Sequence, residues 1–160
     1  MRIEYSKPGK VMFDMPDYVA NVLSEVPEDM LKGNAATPAA AHLFEVNEDG
    51  EPLDKERAEQ FHQDVMKSMF LAQRARPDIR TAVAFLSTRV NKSDEDDYKK
   101  LARVMKYLKD TADIPLTLEA NSPLTVKWWV DASFAVHHDM KGHTGASMSL
   151  RRGGVYNTSS

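Results

Sequence analysis

Residues 125–138 read TVKWWVDASFAVHH. β-Branched and aromatic residues crowd this run, which is the composition of a strand, and Asp131 stands at its centre. An ionised carboxylate on a buried strand is costly unless something positive meets it, so Asp131 belongs at a strand edge, under a cap, or beside a metal. Neighbours on a strand face opposite ways. Of Trp128 and Trp129, one ring is therefore expected in the core, with the other covering a partner surface or partly exposed. The same period of two runs through PLTLEA (115–120), HTGASMSL (143–150) and GVYNTSS (154–160), separated by NSP, HHDMKG and RRGG. Consecutive hairpins in an antiparallel meander are the simplest arrangement of these strands. His137, His138, Asp139 and His143 gather around one of the turns, but their spacing matches no closed zinc site, and polar residues in a hairpin loop also serve solvation.

Upstream of Pro115 the period lengthens. From Asp54, an N-cap residue, KERAEQFHQDVMKSMFLAQRA places Ala58, Phe61, Val65, Met69 and Ala72 on one stripe. Pro77 ends or kinks that helix, and PDIRTAVAFLSTRV restarts with Pro77 in the first turn and Ile79, Val83, Leu86 and Val90 inward. A third helix, SDEDDYKKLARVMKYLKD, is expected to open on Ser93 as N-cap, with four acids in its first turn and Leu101, Val104, Met105 and Leu108 together. At about 100° per residue, Lys99, Arg103 and Lys106 fall on the opposite face. That face is either simply solvated or a contact surface for an anion.

At the N-terminus, RIEYSKPGKVMFDM reads as a hairpin turned at Pro8-Gly9, and PDYVANVLSEV as a short amphipathic helix presenting Tyr18, Val19, Val22, Leu23 and Val26. Residues 27–53 hold no sustained period and read as a long connection.

The chain of 160 residues suffices for one ordinary domain or two small pieces. No stretch approaches the roughly 20 apolar residues of a membrane helix, and MRIEYSKPGK lacks the apolar core of a signal peptide. Cysteine is absent, which excludes disulfides, thiolate metal sites and cysteine nucleophiles. The net charge of -3 conceals an asymmetry. Residues 1–66 hold 6 Lys/Arg against 14 Asp/Glu, residues 67–109 hold 11 against 5, and residues 110–160 hold 4 against 5. A basic middle third is either a nucleic-acid footprint or the partner of its acidic neighbour within the fold.

Four motifs in order carry a resemblance. GKVMFDMPDYVANVLSEVP followed by ATP, ARPDIRTAVAFLSTRV, DYKKLARVMKYLKDT, and VDASFAVHHDMKGHTGASMSLRRGGVYNTSS together cover residues 9–158. The chain resembles the polyprotein of copia-type long-terminal-repeat retrotransposons, from the end of reverse transcriptase into RNase H. It departs from the family pattern at Asp110, where the family has glycine, at Ser133-Phe134, where it has aspartate-tryptophan, and at residues 143–146, where it has S-T-S-G. The polymerase's Y-x-D-D turn would precede Met1 and the RNase H glutamate would follow Ser160.

The resemblance implies an α+β fold in three segments. Residues 1–53 would be the N-terminal hairpin, helix and connection at the end of a palm and thumb; 54–112 a three-helix thumb or connection; 113–160 an incomplete RNase H-like antiparallel meander. It implies Asp131 as the first carboxylate of a two-Mg²⁺ hydrolytic site, two ions about 4 Å apart needing several carboxylates. It also implies that the helical segment lies beside an RNA:DNA hybrid or primer:template duplex, with Lys99, Arg103 and Lys106, and Arg76, Arg80 and Lys92 nearby, contacting phosphates without reading bases. The remainder of the polyprotein is a further implied partner, no membrane is, and the compartment would be intracellular, cytoplasmic or nuclear. On this reading the isolated chain is a catalytically incomplete fragment that holds no stable Mg²⁺. A non-catalytic relic, a repurposed nucleic-acid- or protein-binding module, and a gene-model artefact are the alternatives. An exposed third strand without a covering helix is expected to make the C-terminal third sticky, with protease trimming after about residue 110.

Overall fold

The computed structural model describes residues 1–120, 125–133 and 142–159. Its core is helical. Helix α1 (Pro16–Glu25) follows a proline start. Helix α2 (Lys55–Arg74) begins at Asp54, whose carboxylate accepts the Arg57 N–H at 2.9 Å, as a good N-cap does. A 3₁₀ turn over Pro77–Ile79 leads into α3 (Arg80–Arg89), and α4 (Glu95–Asp110) completes the set. The apolar stripes meet as the period requires: Val19 and Val22 from α1, Phe61 and Val65 from α2, Val83 and Leu86 from α3, and Leu101, Val104, Met105 and Leu108 from α4 are all buried in one cluster. Residues 27–53 close over it. They contain a short 3₁₀ helix (Glu28–Leu31) whose Met30 is buried, and Phe44 meets Phe85 edge-on at 5.6 Å between ring centres.

The start of α4 differs by one residue from expectation. Asp94, not Ser93, is the N-cap: its carboxylate accepts the N–H groups of Asp96 and Asp97 at 2.8 and 2.9 Å, while the Asp97 carboxylate accepts the Asp94 N–H. Arg89 at the end of α3 reaches both acids, at 3.2 and 2.9 Å. Burial pushes the Asp97 carboxyl above the usual carboxylate range, and Arg89 opposes that rise.

Two antiparallel sheets flank the helices. β1 (Arg2–Glu4) and β2 (Lys10–Asp14) form the expected hairpin, Ile3 opposite Phe13, turned at Gly9 with φ of +74°. The run of consecutive hairpins expected from residue 115 onward forms only in part. β3 (Leu116–Ala120) leaves it and pairs with β2, Val11 opposite Leu118, while β6 (Arg151–Arg152) adds beyond β3. The sheet order is β1-β2-β3-β6, joining residues from both ends of the chain. Hydrophobic period marks a strand but does not choose its neighbour, and β2 offers a free edge where β3 pairs over four residues. The remaining strands β4 (Lys127–Ser133), β5 (His143–Ser149) and β7 (Tyr156–Ser159) do form a meander, in the order β4-β5-β7. Gly153, φ +75°, turns the chain between the sheets, and a Cβ there would stand 2.0 Å from the Thr117 carbonyl oxygen.

β7 packs against α3, so the C-terminal strand is not the exposed one. β4 is, along its whole length. Both Trp128 and Trp129 are more than half exposed, so neither ring enters the core. β4 is an edge strand; the Trp128 ring reaches across its sheet to Tyr156, 6.1 Å between centres, yet both rings keep more than half of their surface in solvent.

Candidate functional site

Three of the basic residues singled out in the sequence come together. Lys99, Arg103 and Lys106 lie along α4 at spacings of four and three, and all three line a cleft of about 240 Å³ between that helix and residues 34–43. Lys99 is exposed, and Arg103 and Lys106 are half-buried. Arg103 donates from Nε to the Thr37 carbonyl at 3.1 Å and from an Nη to the Thr37 hydroxyl at 3.0 Å, so it holds the opposite wall while lining the cleft. Lys109 donates to the carbonyls of Leu31 and Gly33 at 2.8 and 2.7 Å, and Asp110 accepts the Ala35 N–H at 3.1 Å. These ties fix the wall against the helix. His42 contributes another polar group to the lining.

Lys100, one residue from the stripe, was not among the expected contacts and also lines the cleft. It is buried, pairs with Asp96 at 3.1 Å, donates to the Glu45 carbonyl, and lies 5.2 Å from the centre of the Phe85 ring. Its charge is therefore spent largely within the fold. The cleft retains an excess of positive charge, with Asp96 its one acidic lining residue. An array of flexible cations at the rim of a shallow cleft suits phosphate oxygens, because it neutralises charge without demanding a particular base.

Arg76, Arg80 and Lys92 are placed elsewhere. Arg76 is buried and fully engaged: it pairs with both oxygens of Asp78, the closest at 2.7 Å, and donates to the Thr111 carbonyl and hydroxyl at 2.9 and 2.7 Å. Tyr107 donates its hydroxyl to the same Asp78 at 2.9 Å. Arg76 thus clamps the junction of α2 and α3 to the end of α4. Lys92 is exposed in the turn before α4, apart from the cleft. Arg80 is half-buried at the start of α3, with a buried Nε that has no partner among the described residues.

Asp131 stands exposed on β4, opposite Gly145 of β5. It shares with Arg80, Pro77, Thr81 and Trp129 a wide cleft between the small sheet and α3. Alternation along the strand puts Asp131 and Trp129 on the same face. No group of three or more His, Asp or Glu side chains able to hold a metal occurs among the described residues. His137, His138 and Asp139 lie outside the described residues, and His143 is buried, its Nε2 2.7 Å from the Ser159 hydroxyl and its ring 4.9 Å from that of Phe44. A histidine packed in this way anchors β5 to β7 and to the connection.

Comparison with known proteins gives one informative likeness. Over 155 residues the chain is 28% identical to a protein of Saccharomyces cerevisiae described as "Putative transposon Ty5-1 protein", a match that takes in 96% of this chain and 49% of that one. The chain therefore spans about half the length of the curated relative it matches. No family model and no solved structure matches it.

Proposed function

We propose that this chain is a segment of a retrotransposon reverse transcriptase and RNase H polyprotein, and that as an isolated chain it contacts a nucleic-acid duplex through phosphates without cleaving it. The observation that carries this reading is the gathering of Lys99, Arg103 and Lys106 on one side of α4, over an open cleft whose far wall is tied in place. The near end-to-end likeness to a transposon protein supports it, and so does the order of motifs along the chain. Positive charge concentrated in residues 67–109 is the electrostatic footprint that such a contact needs.

Hydrolysis is a different matter. A two-metal mechanism needs several carboxylates converging on two ions, and Asp131 on its exposed strand stands outside any such group among the described residues. The described residues do not fit a bound pair of Mg²⁺ ions. On this reading Asp131 corresponds to the first carboxylate of such a site, and the described residues gather no metal-holding group of carboxylates and histidines around it.

Anisotropy titration of a labelled RNA:DNA hybrid across a salt series tests the binding. Three phosphate contacts give a slope of log affinity against log salt of about -3, and Lys99→Ala or Lys106→Ala each flattens it by about 1. A flat salt dependence rejects phosphate contact. The same hybrid incubated with Mg²⁺ is expected to stay intact; cleavage that disappears in Asp131→Ala overturns the second half of the reading.

A further inference from the structure

β4 hydrogen-bonds to β5 along one side, and its other side has no partner among the described residues. It also carries three consecutive large apolar residues in water: Trp128 is 56% exposed, Trp129 53% and Val130 69%. An edge of this kind presents a row of unpaired N–H and C=O groups, which proteins ordinarily blunt with proline, a bulge or repeated charge. Neither proline nor a bulge occurs in KWWVDAS, and its two charges are of opposite sign. The strand carries two charges, Lys127 and Asp131, and neither makes an ion pair or a side-chain hydrogen bond among the described residues.

The placing of those charges selects a partner. A strand pairs with its own copy, antiparallel about a two-fold axis, when residues equidistant from the axis complement each other. With the axis at Trp129, Lys127 of one copy falls opposite Asp131 of the other, and the symmetric pair repeats it. Trp128 falls opposite Val130, and Trp129 opposite itself. Lys127, Trp129 and Asp131 share a face by alternation, so the two ion pairs flank the paired tryptophans, while Trp128 and Val130 pack on the reverse face. Any other axis on this strand breaks the match of opposite charges.

We propose that the chain forms a two-fold dimer through β4, joining two small sheets into one of six strands in the order β7-β5-β4-β4-β5-β7. The occupant of the open edge is a second copy of this chain, and the Lys127 to Asp131 pairs fix the register.

Sedimentation equilibrium of the full chain over the micromolar range is expected to show a monomer–dimer equilibrium. Lys127→Glu or Asp131→Lys alone sets like charges opposite one another on both sides of the axis, and weakens dimerisation on the order of tenfold. The double variant K127E/D131K restores it. Since the chain has no cysteine, Trp129→Cys yields a covalent dimer on mild oxidation, whereas Trp128→Cys, whose copies are offset from one another, does not. A chain monomeric throughout the range, single reversals that leave the equilibrium untouched, or a double variant that fails to restore it overturns the proposal. If a single reversal loses the native circular dichroism spectrum, the contrast between the two cysteine variants decides.

Discussion

Asp64 lies wholly buried on α2, one carboxylate oxygen accepting from Gln60 at 3.0 Å and the other without a partner among the described residues, where the hydroxyl of Ser68 one turn on is likewise unpartnered. Burial is the main cause of its raised carboxyl pKa, with Lys67 at 3.9 Å a weaker opposing charge. The sign follows from linkage. A native carboxyl that binds its proton more tightly than the unfolded chain stabilises the fold at low pH, and this contribution is lost as pH rises through its raised folded pKa. Asp64→Asn removes the charge while keeping the shape, and is expected to stabilise the chain by about 1 kcal/mol at neutral pH, the gain shrinking towards zero in acid. Urea denaturation midpoints of both chains at neutral and acid pH measure it; an equal shift at both pH values contradicts the assignment. Arg76 teaches a related lesson in reverse. In the sequence it is one of several cations in a basic segment, indistinguishable by charge from Lys99, yet its guanidinium is satisfied internally by Asp78 and Thr111. What separates the two is burial, which a run of charges does not disclose.

The helices were legible because amphipathic period and start signals agreed in α1, α2 and α4, whereas the helix expected from Pro77 opens as a 3₁₀ turn and is α-helical only from Arg80. α4 is the clearest case, and its one misplacement is physical. Ser93 and Asp94 are both good capping residues, and the choice falls to the residue whose backbone is extended and whose oxygen reaches the second and third N–H groups, which is Asp94. Asp94→Ala removes that cap and strips Arg89 of one of its two carboxylates, so about 1–2 kcal/mol is expected in chemical denaturation, and a smaller cost for Ser93→Ala. The reverse order would return the cap to Ser93. The basic stripe on α4 was also legible, since three residues at helical spacing must share a side. Its opposite wall was not, because residues 34–43 have no period and are held by individual hydrogen bonds to Arg103 and Asp110, with Lys109 holding Leu31 and Gly33 just before them. The strands show the same limit. Alternation marked Leu116–Ala120 as extended, but the preference for β2 over the meander is a long-range pairing that no local pattern encodes.

Across the whole molecule, every buried apolar residue described lies between Met15 and Leu108. The small sheet adds buried His143 and Ser149 but no buried apolar side chain among the described residues. Since burial of apolar surface is the main source of stability, a chain ending at residue 120 is expected to keep a cooperative transition within about 1–2 kcal/mol of the full chain. Ending it at residue 112 removes β3, uncovers β2, and should lower the midpoint further. Calorimetry of the two truncations distinguishes them, and equal midpoints would mean that β3 contributes nothing. Because β3 ties the segment beyond α4 into the N-terminal sheet, limited proteolysis is expected to cut first after about residue 120 rather than near residue 110. The same pairing also sets an order of events in synthesis. Val11 cannot find Leu118 until the helices between them have left the ribosome, so at about 5–20 residues per second the N-terminal hairpin waits on the order of ten seconds for its third strand. For that interval the open side of β2 is a site where a neighbouring nascent chain can pair, and compaction of the local helical contacts, which need no such wait, is what keeps the growing chain productive.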